Sequence, residues 1–282
     1  MNYKEPQKQL KLSATSALVL NWTDYKIWQS PITLDYNAQL DLSEGEHLFK
    51  LFSDVQNFMH LQMVTGRKYF IKNKTLDFLQ ELSKQDKTGQ VIILAAGLAP
   101  LSVEISALFP TCQVFDIDKY LMDEKKSLVN GNPVNIEFIN CDITDVNDLK
   151  NKLLNHHFKV DKPTMAIMEG IICYLPKLIL KNVFHFLRQN NVVFQGDFCL
   201  KPELVNKESR FYEEDVFKKI KETLKLDDIY FYSVEEMTEL LNEAGYQKIQ
   251  VSNMQQNQEK RTGNKYPFLE NDSWWDIVIC AE

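Results

Sequence analysis

The chain changes its hydrophobic rhythm once, at Gly89. Before that point apolar residues recur at helical spacing among charged ones: Leu48, Leu51, Phe52 and Val55, then Phe70, Leu76, Leu79 and Leu82. Such stripes predict helices laid across a larger apolar surface. After Gly89, short β-branched runs alternate with amphipathic stretches. The runs 91–95, 112–116, 135–140, 164–168, 192–197, 247–253 and 275–280 predict strands, and 100–108, 119–129, 146–154 and 177–188 predict the helices between the first five. Strands alternating with helices predict a parallel sheet wound on both faces. Ser233 and Glu236 have capping-box spacing and Gly245 supplies a stop, so a further helix is predicted between them. The polar stretch 255–264 carries no convincing helical pattern. A final pair of runs joined by such a loop predicts an antiparallel last strand rather than another right-handed crossover.

A length of 282 residues with 44% hydrophobic and 25% charged residues gives enough apolar material for one large domain, or for one domain with an appendage, and excludes a disordered or collagen-like chain. Residues 1–88 read as an N-terminal helical cap and 89–282 as the sheet-bearing core. The net charge of −7 repels a polyphosphate at long range, which sets nucleic acid aside as a partner. Cys112, Cys141, Cys173, Cys199 and Cys280 are odd in number and widely spaced, as expected of buried thiols in a reducing compartment. The opening residues lack the pattern of a signal peptide. The longest apolar stretch, 91–101, is about half of the roughly 20 residues a spanning helix needs. A cytoplasmic protein without a membrane partner is expected; the oligomeric state is left open.

In a doubly wound sheet, ligands bind outside the carboxyl ends of the strands, and the first strand–helix turn does most of the cradling. That turn reads Ala95-Ala96-Gly97-Leu98-Ala99-Pro100. One glycine, and a proline without an N–H, fit a pyrophosphate badly. Small residues instead admit a ligand without phosphates, such as a nucleoside with a side arm. Pro100 suits the first position of the next helix. Asp116 follows Gly97 by 19 residues, close to the spacing of a carboxylate that accepts from ribose hydroxyls, with Asp118 as the alternative. Asp142, at the end of the third run, could accept from an adenine amino group. Each acid taken alone could equally be a solvated turn residue or a helix cap.

The fourth run continues into Glu169-Gly170-Ile171-Ile172-Cys173-Tyr174-Leu175-Pro176. With it the chain resembles the leucine carboxyl methyltransferase family and its relatives, the polyketide-type O-methyltransferases. Ala-Ala-Gly-Leu is similar to the family's first motif, Asp-x-Asp to its second and Cys-Asp-Ile-Thr-Asp to its third. Upstream, Gly66-Arg67-Lys68-Tyr69-Phe70-Ile71 followed by Leu76-Asp77-Phe78-Leu79 is similar to the family's helical segment that brings an arginine to the cofactor. The likeness covers roughly residues 60 to 190. It implies a class I, Rossmann-like fold, S-adenosyl-L-methionine as cofactor, and methyl transfer to oxygen. Carried over by position, it implies Arg67 at the methionine carboxylate, Ala95 and Gly97 under the cofactor, and Asp116 or Asp118 at the ribose. It likewise implies Asp142 with Ile143 at the adenine, Glu169 at the methionine amino group and Tyr174 facing the acceptor. The chain departs from the pattern at Ile93, Ala95 and Ala99-Pro100-Leu101. These departures keep a second reading open, a non-catalytic descendant that binds or interacts.

The sulfonium methyl is already activated, so alignment is the main task, and a carboxylate acceptor needs no base at neutral pH. The expected acceptor is a carboxylate or hydroxyl of a small molecule, with a protein C-terminal carboxylate as the alternative. No metal is expected: His156 and His157 read as surface residues without further ligand spacing. Cys173, with no histidine placed near it, reads as a structural thiol. Trp22, Tyr25 and Trp28 could line the acceptor pocket, but core packing is the favoured reading. Alternation at Trp274 and Trp275 would bury one and expose the other.

Overall fold

The computed structural model describes residues 9–129, 132, 134–224, 228–268 and 276–282. Its N-terminal part holds two short parallel strands, β1 (Leu10–Lys11) and β2 (Leu40–Asp41), with α1 (Ala14–Asn21) and α2 (Pro31–Asn37) between them. Then come α3 (Ser43–Phe49) and the long α4 (Asp54–Lys84). The apolar residues around position 50 do not form one helix. Ser53 closes a capping box with Gln56 and starts α4 afresh, so Leu48 and Phe52 are buried while Leu51 and Val55 are exposed.

From Gly89 onward the order is β3 (Gln90–Leu94), α5 (Leu101–Leu108), β4 (Gln113–Asp118), α6 (Met122–Leu128), β5 (Ile136–Asn140), α7 (Val146–Asn155), β6 (Thr164–Met168), α8 (Lys177–Gln189) and β7 (Val192–Cys199). The chain continues with α9 (Lys207–Leu224), α10 (Val234–Ala244), β8 (Ile249–Ser252), α11 (Met254–Thr262) and β9 (Asp276–Ala281). The main sheet has the order β5-β4-β3-β6-β7-β9-β8. Strands β3 to β7 pair in parallel, and β9 runs antiparallel between β7 and β8. This is the expected α/β doubly wound, Rossmann-like sheet with an antiparallel last strand. All five residues of β3 and of β6 are buried, as covering both faces of a parallel sheet requires. The strand order reverses between β3 and β6, which creates a crevice at their carboxyl ends.

The predicted helix after Ser233 is α10, with its capping box formed and Gly245 in the left-handed region at φ 102°. The polar stretch 255–264 is a correction, because most of it is α11. Asn253 and Gln256 form a third capping box, and Gly263 ends the helix at φ 73°. The apolar signal is weak because α11 buries amides: Asn257 accepts from Ser252 Oγ at 2.7 Å, and Gln258 Nε2 donates to the Tyr266 carbonyl at 2.9 Å. Trp274 and Trp275 lie outside the described residues.

Helix α4 lies against the sheet, where Gln195 Nε2 of β7 donates to the Ile71 carbonyl at 3.1 Å. Trp22 and Trp28 are core residues, and Trp22 Nε1 donates to Asn57 Oδ1 at 2.9 Å. All five cysteines are buried free thiols, and burial pushes Cys112 up to about 12. Among the described residues, no helix is long and apolar enough to cross a membrane, and no histidine, cysteine and acid cluster could hold a metal ion.

Candidate active site

A cavity of about 360 Å³ opens at the carboxyl ends of β3, β4 and β6, within the roughly 300–1,000 Å³ range of small-molecule sites. Its floor is the turn after β3. Ala95 and Gly97 both take left-handed backbone there, at φ 54° and 50°. An alanine in that region costs about 1 kcal/mol that a glycine would not, so the turn is held by its surroundings. Ala96 N donates to the Ile117 carbonyl at 3.0 Å, and Gly97 N donates to Asp118 Oδ2 at 2.8 Å. Pro100 is the N-cap of α5, one position before the helix proper.

The acids of the second motif divide by depth. Strand β4 runs to Asp118, so that residue stands at the strand end and lines the cavity. Its other oxygen, Oδ1, accepts from Tyr120 N at 3.1 Å. Asp116, expected to face the ribose, does not line the cavity. It projects from the same face of the strand about 7 Å deeper, is fully buried, and pairs with the equally buried Lys125 at 2.7 Å. Burial raises the Asp116 pKa, against the opposing pull of Lys125.

Asp142 is at the same carboxyl edge, after β5, but outside the cavity lining. Its carboxylate accepts from Thr144 Oγ1 at 2.7 Å and Thr144 N at 3.0 Å, and meets Lys119 Nζ at 2.9 Å. The Lys119 contact, then the Thr144 bonds, hold its pKa at about 2. Ile143 is buried and likewise does not line the cavity.

The opposite wall is charged. Glu169 follows β6 directly, and its Oε1 lies 2.6 Å from Lys68 Nζ and 3.5 Å from Arg67 Nε. Burial alone would raise the Glu169 pKa; Lys68 and Arg67 outweigh it and hold the group below the usual carboxylate range. Arg67 Nη1 also meets Asp197 Oδ2 at 3.1 Å. Arg67, Lys68 and Glu169 all line the cavity, as do Gly170 and Tyr174. Tyr174 ends a 3₁₀ turn (Ile172–Tyr174), and burial pushes its phenol pKa upward. Cys173 beside it is buried. His156, by contrast, caps the end of α7, bonds Glu137 at 2.9 Å and does not line the cavity.

The structure thus brings together Arg67, Ala95, Gly97, Asp118, Glu169 and Tyr174, and leaves Asp116, Asp142 and Ile143 out of the lining. Two contributions escaped the sequence reading. Lys68 neighbours Arg67, and consecutive helical residues do not normally face one target; here two long side chains converge on Glu169. The other is the wall supplied by Leu12, Thr15, Ser16, Val19 and Leu20 on and before α1. The signal was present: Ser13 caps a segment, Ala14–Asn21, whose second half carries the apolar run 17–20.

A family model described as leucine carboxyl methyltransferase matches residues 43–188, about half the chain. No curated protein matches the sequence. Among solved structures, a putative methyltransferase from Thermobifida fusca YX is similar at 14% identity and TM-score 0.52, covering 76% of this chain and 81% of that one; it supports the fold. Magnesium protoporphyrin IX methyltransferase from Synechocystis PCC 6803, solved with bound S-adenosylhomocysteine, aligns at 11% identity and TM-score 0.47 over 85% of this chain and 94% of that one. The motifs after β3, β4 and β6 and the match over residues 43–188 together lead to one assignment: the chain belongs to the leucine carboxyl methyltransferase family of S-adenosylmethionine-dependent methyltransferases.

Proposed function

We propose that the protein is an O-methyltransferase that esterifies a carboxylate, or methylates a hydroxyl, of a small molecule, with a protein C-terminal carboxylate as the alternative acceptor. The observation that carries this reading is the single cavity shared by a small-residue turn, the strand-end acid Asp118 and the Arg67–Lys68–Glu169 wall. The lining fits S-adenosylmethionine, because a left-handed turn with little side-chain bulk lies between an acid suited to hydroxyls and a mixed-charge wall suited to an amino acid. In this reading Arg67 pairs with the methionine carboxylate, Glu169 accepts from the methionine ammonium, and Asp118 accepts from ribose. Ala95 and Gly97 allow close backbone approach. Asp142 and Ile143 contribute at the adenine edge, at the same carboxyl end of the sheet.

When bound, S-adenosylmethionine supplies a methyl group already activated by its sulfonium. The chain's own task is positioning, which can lower a barrier by roughly 7–11 kcal/mol. Tyr174, Ile171 and the α1 residues form the wall available to an acceptor. Asp118 is engaged by two backbone N–H groups, Glu169 by two cations, and the Tyr174 phenol stays protonated near neutrality, so none is disposed to remove a proton. That favours an acceptor that is already ionised, as a carboxylate is. Residues 1–88 act as a cap that completes this wall over the core formed by 89–282, in a cytoplasmic protein.

Incubation with methyl-labelled S-adenosylmethionine and a panel of carboxylic acids and phenols is the test. Base-labile methyl ester product is expected. Label transferred only to nitrogen, or to no acceptor at all, would contradict the assignment.

A further inference from the structure

Asp197 touches the charged wall from behind. It sits on β7, is 3% exposed, and does not line the cavity. Its Oδ2 meets Arg67 Nη1 at 3.1 Å, and its Oδ1 accepts from Gly170 N at 2.8 Å. Gly170 is left-handed at φ 68°, the turn that sends the chain away from Glu169, and a Cβ there would come within 3.6 Å of Arg67 Nη2. One carboxylate therefore ties α4 to the end of β6 and sets both the arginine and the glutamate that face the cavity. With Lys68 the cluster holds two positive and two negative groups, all but excluded from water. A zwitterionic amino-acid group can enter such a balanced set by exchanging partners, with no net charge buried.

We propose that Asp197 is a positioning residue for the amino-acid end of the cofactor: it orients Arg67 and fixes the Glu169–Gly170 turn from outside the cavity. The adenosine end, on the Ala95–Gly97 and Asp118 side, does not depend on it. This inference rests on the reading of the cavity as the S-adenosylmethionine site.

The substitution Asp197→Asn separates the two ends. The amide oxygen can still accept from Gly170 N, but its NH₂ confronts the guanidinium donor against donor. Wild type and variant are titrated with S-adenosylhomocysteine and with 5′-methylthioadenosine, which keeps the adenosine and lacks the amino acid. Affinity for S-adenosylhomocysteine is expected to fall at least tenfold, and that for 5′-methylthioadenosine to change less than twofold. In turnover, KM for S-adenosylmethionine rises while kcat at saturation stays within a few-fold. Equal losses for the two ligands, or no loss for either, would overturn the role. Asp197→Glu keeps the charge but moves it by one methylene; the same selective loss is expected, and it decides the question if the asparagine variant does not fold. Wild type that binds neither compound removes the parent reading, and this one with it.

Discussion

Asp118 and Asp116 share a strand face, yet one is held by backbone N–H groups in the cavity lining and the other by a lysine with no access to water. Their substitutions should therefore fail in different assays. Asp118→Asn sets an NH₂ against one of those two N–H groups, so it is expected to weaken S-adenosylhomocysteine binding at least tenfold with a smaller stability loss of about 1–2 kcal/mol. Asp116→Asn leaves the Lys125 charge buried without its counter-ion, which costs about 3–5 kcal/mol, while the molecules that remain folded bind normally. Calorimetric titration and urea unfolding of both variants check this; a binding loss confined to Asp116→Asn would reverse the assignment. The sequence spacing pointed to Asp116 first because counting from Gly97 locates a strand and not its end. Alternation puts both acids on one face, and only the register, with Asp118 opposite Asn140, shows which one reaches the edge. The family pattern singles out Arg67 and Glu169, which both line the cavity; Asp197 carries no local signal, since the residues it contacts, Arg67 and Gly170, are 130 and 27 positions away.

At the level of elements, α1 is the wall the cavity borrows, and its seat is tight. A Cβ built on Gly45 of α3 would stand 2.4 Å from the Ala17 carbonyl carbon and 2.5 Å from Leu18 N. Gly45→Ala must push α1 off α3, at a cost of about 1–3 kcal/mol by the usual penalty for overpacking. Since Thr15, Ser16, Val19 and Leu20 line the cavity, KM should rise several-fold as well. Unfolding midpoints and initial rates measured on one preparation check both effects, and unchanged values in the two assays would show that α1 is not seated as described. The central strands and α10 were legible because their signals are local: buried β-branched runs, a capping box, a terminal glycine. Helix α11 was not, because buried amides and not an apolar stripe anchor it, with Arg261 Nη2 2.6 Å from Gln62 Oε1 on α4.

Over the whole molecule, the reversal of strand order between β3 and β6 opens the crevice, α4 brings two cations to one side of it, and the α1 segment walls it. Each part comes from a different stretch of chain, and the cavity exists only when all are assembled. Residues outside the cavity lining secure that assembly. Glu104 on α5, fully buried, accepts from Gln29 N at 2.8 Å and Ser30 N at 3.2 Å, which fastens the N-terminal segment to the sheet-bearing part. The most direct test is a crystal structure of the protein with S-adenosylhomocysteine. The ribose hydroxyls are expected within hydrogen-bond distance of the Asp118 carboxylate and the amino-acid group at Arg67 and Glu169. Ligand density at any other place on the molecule would contradict this placement.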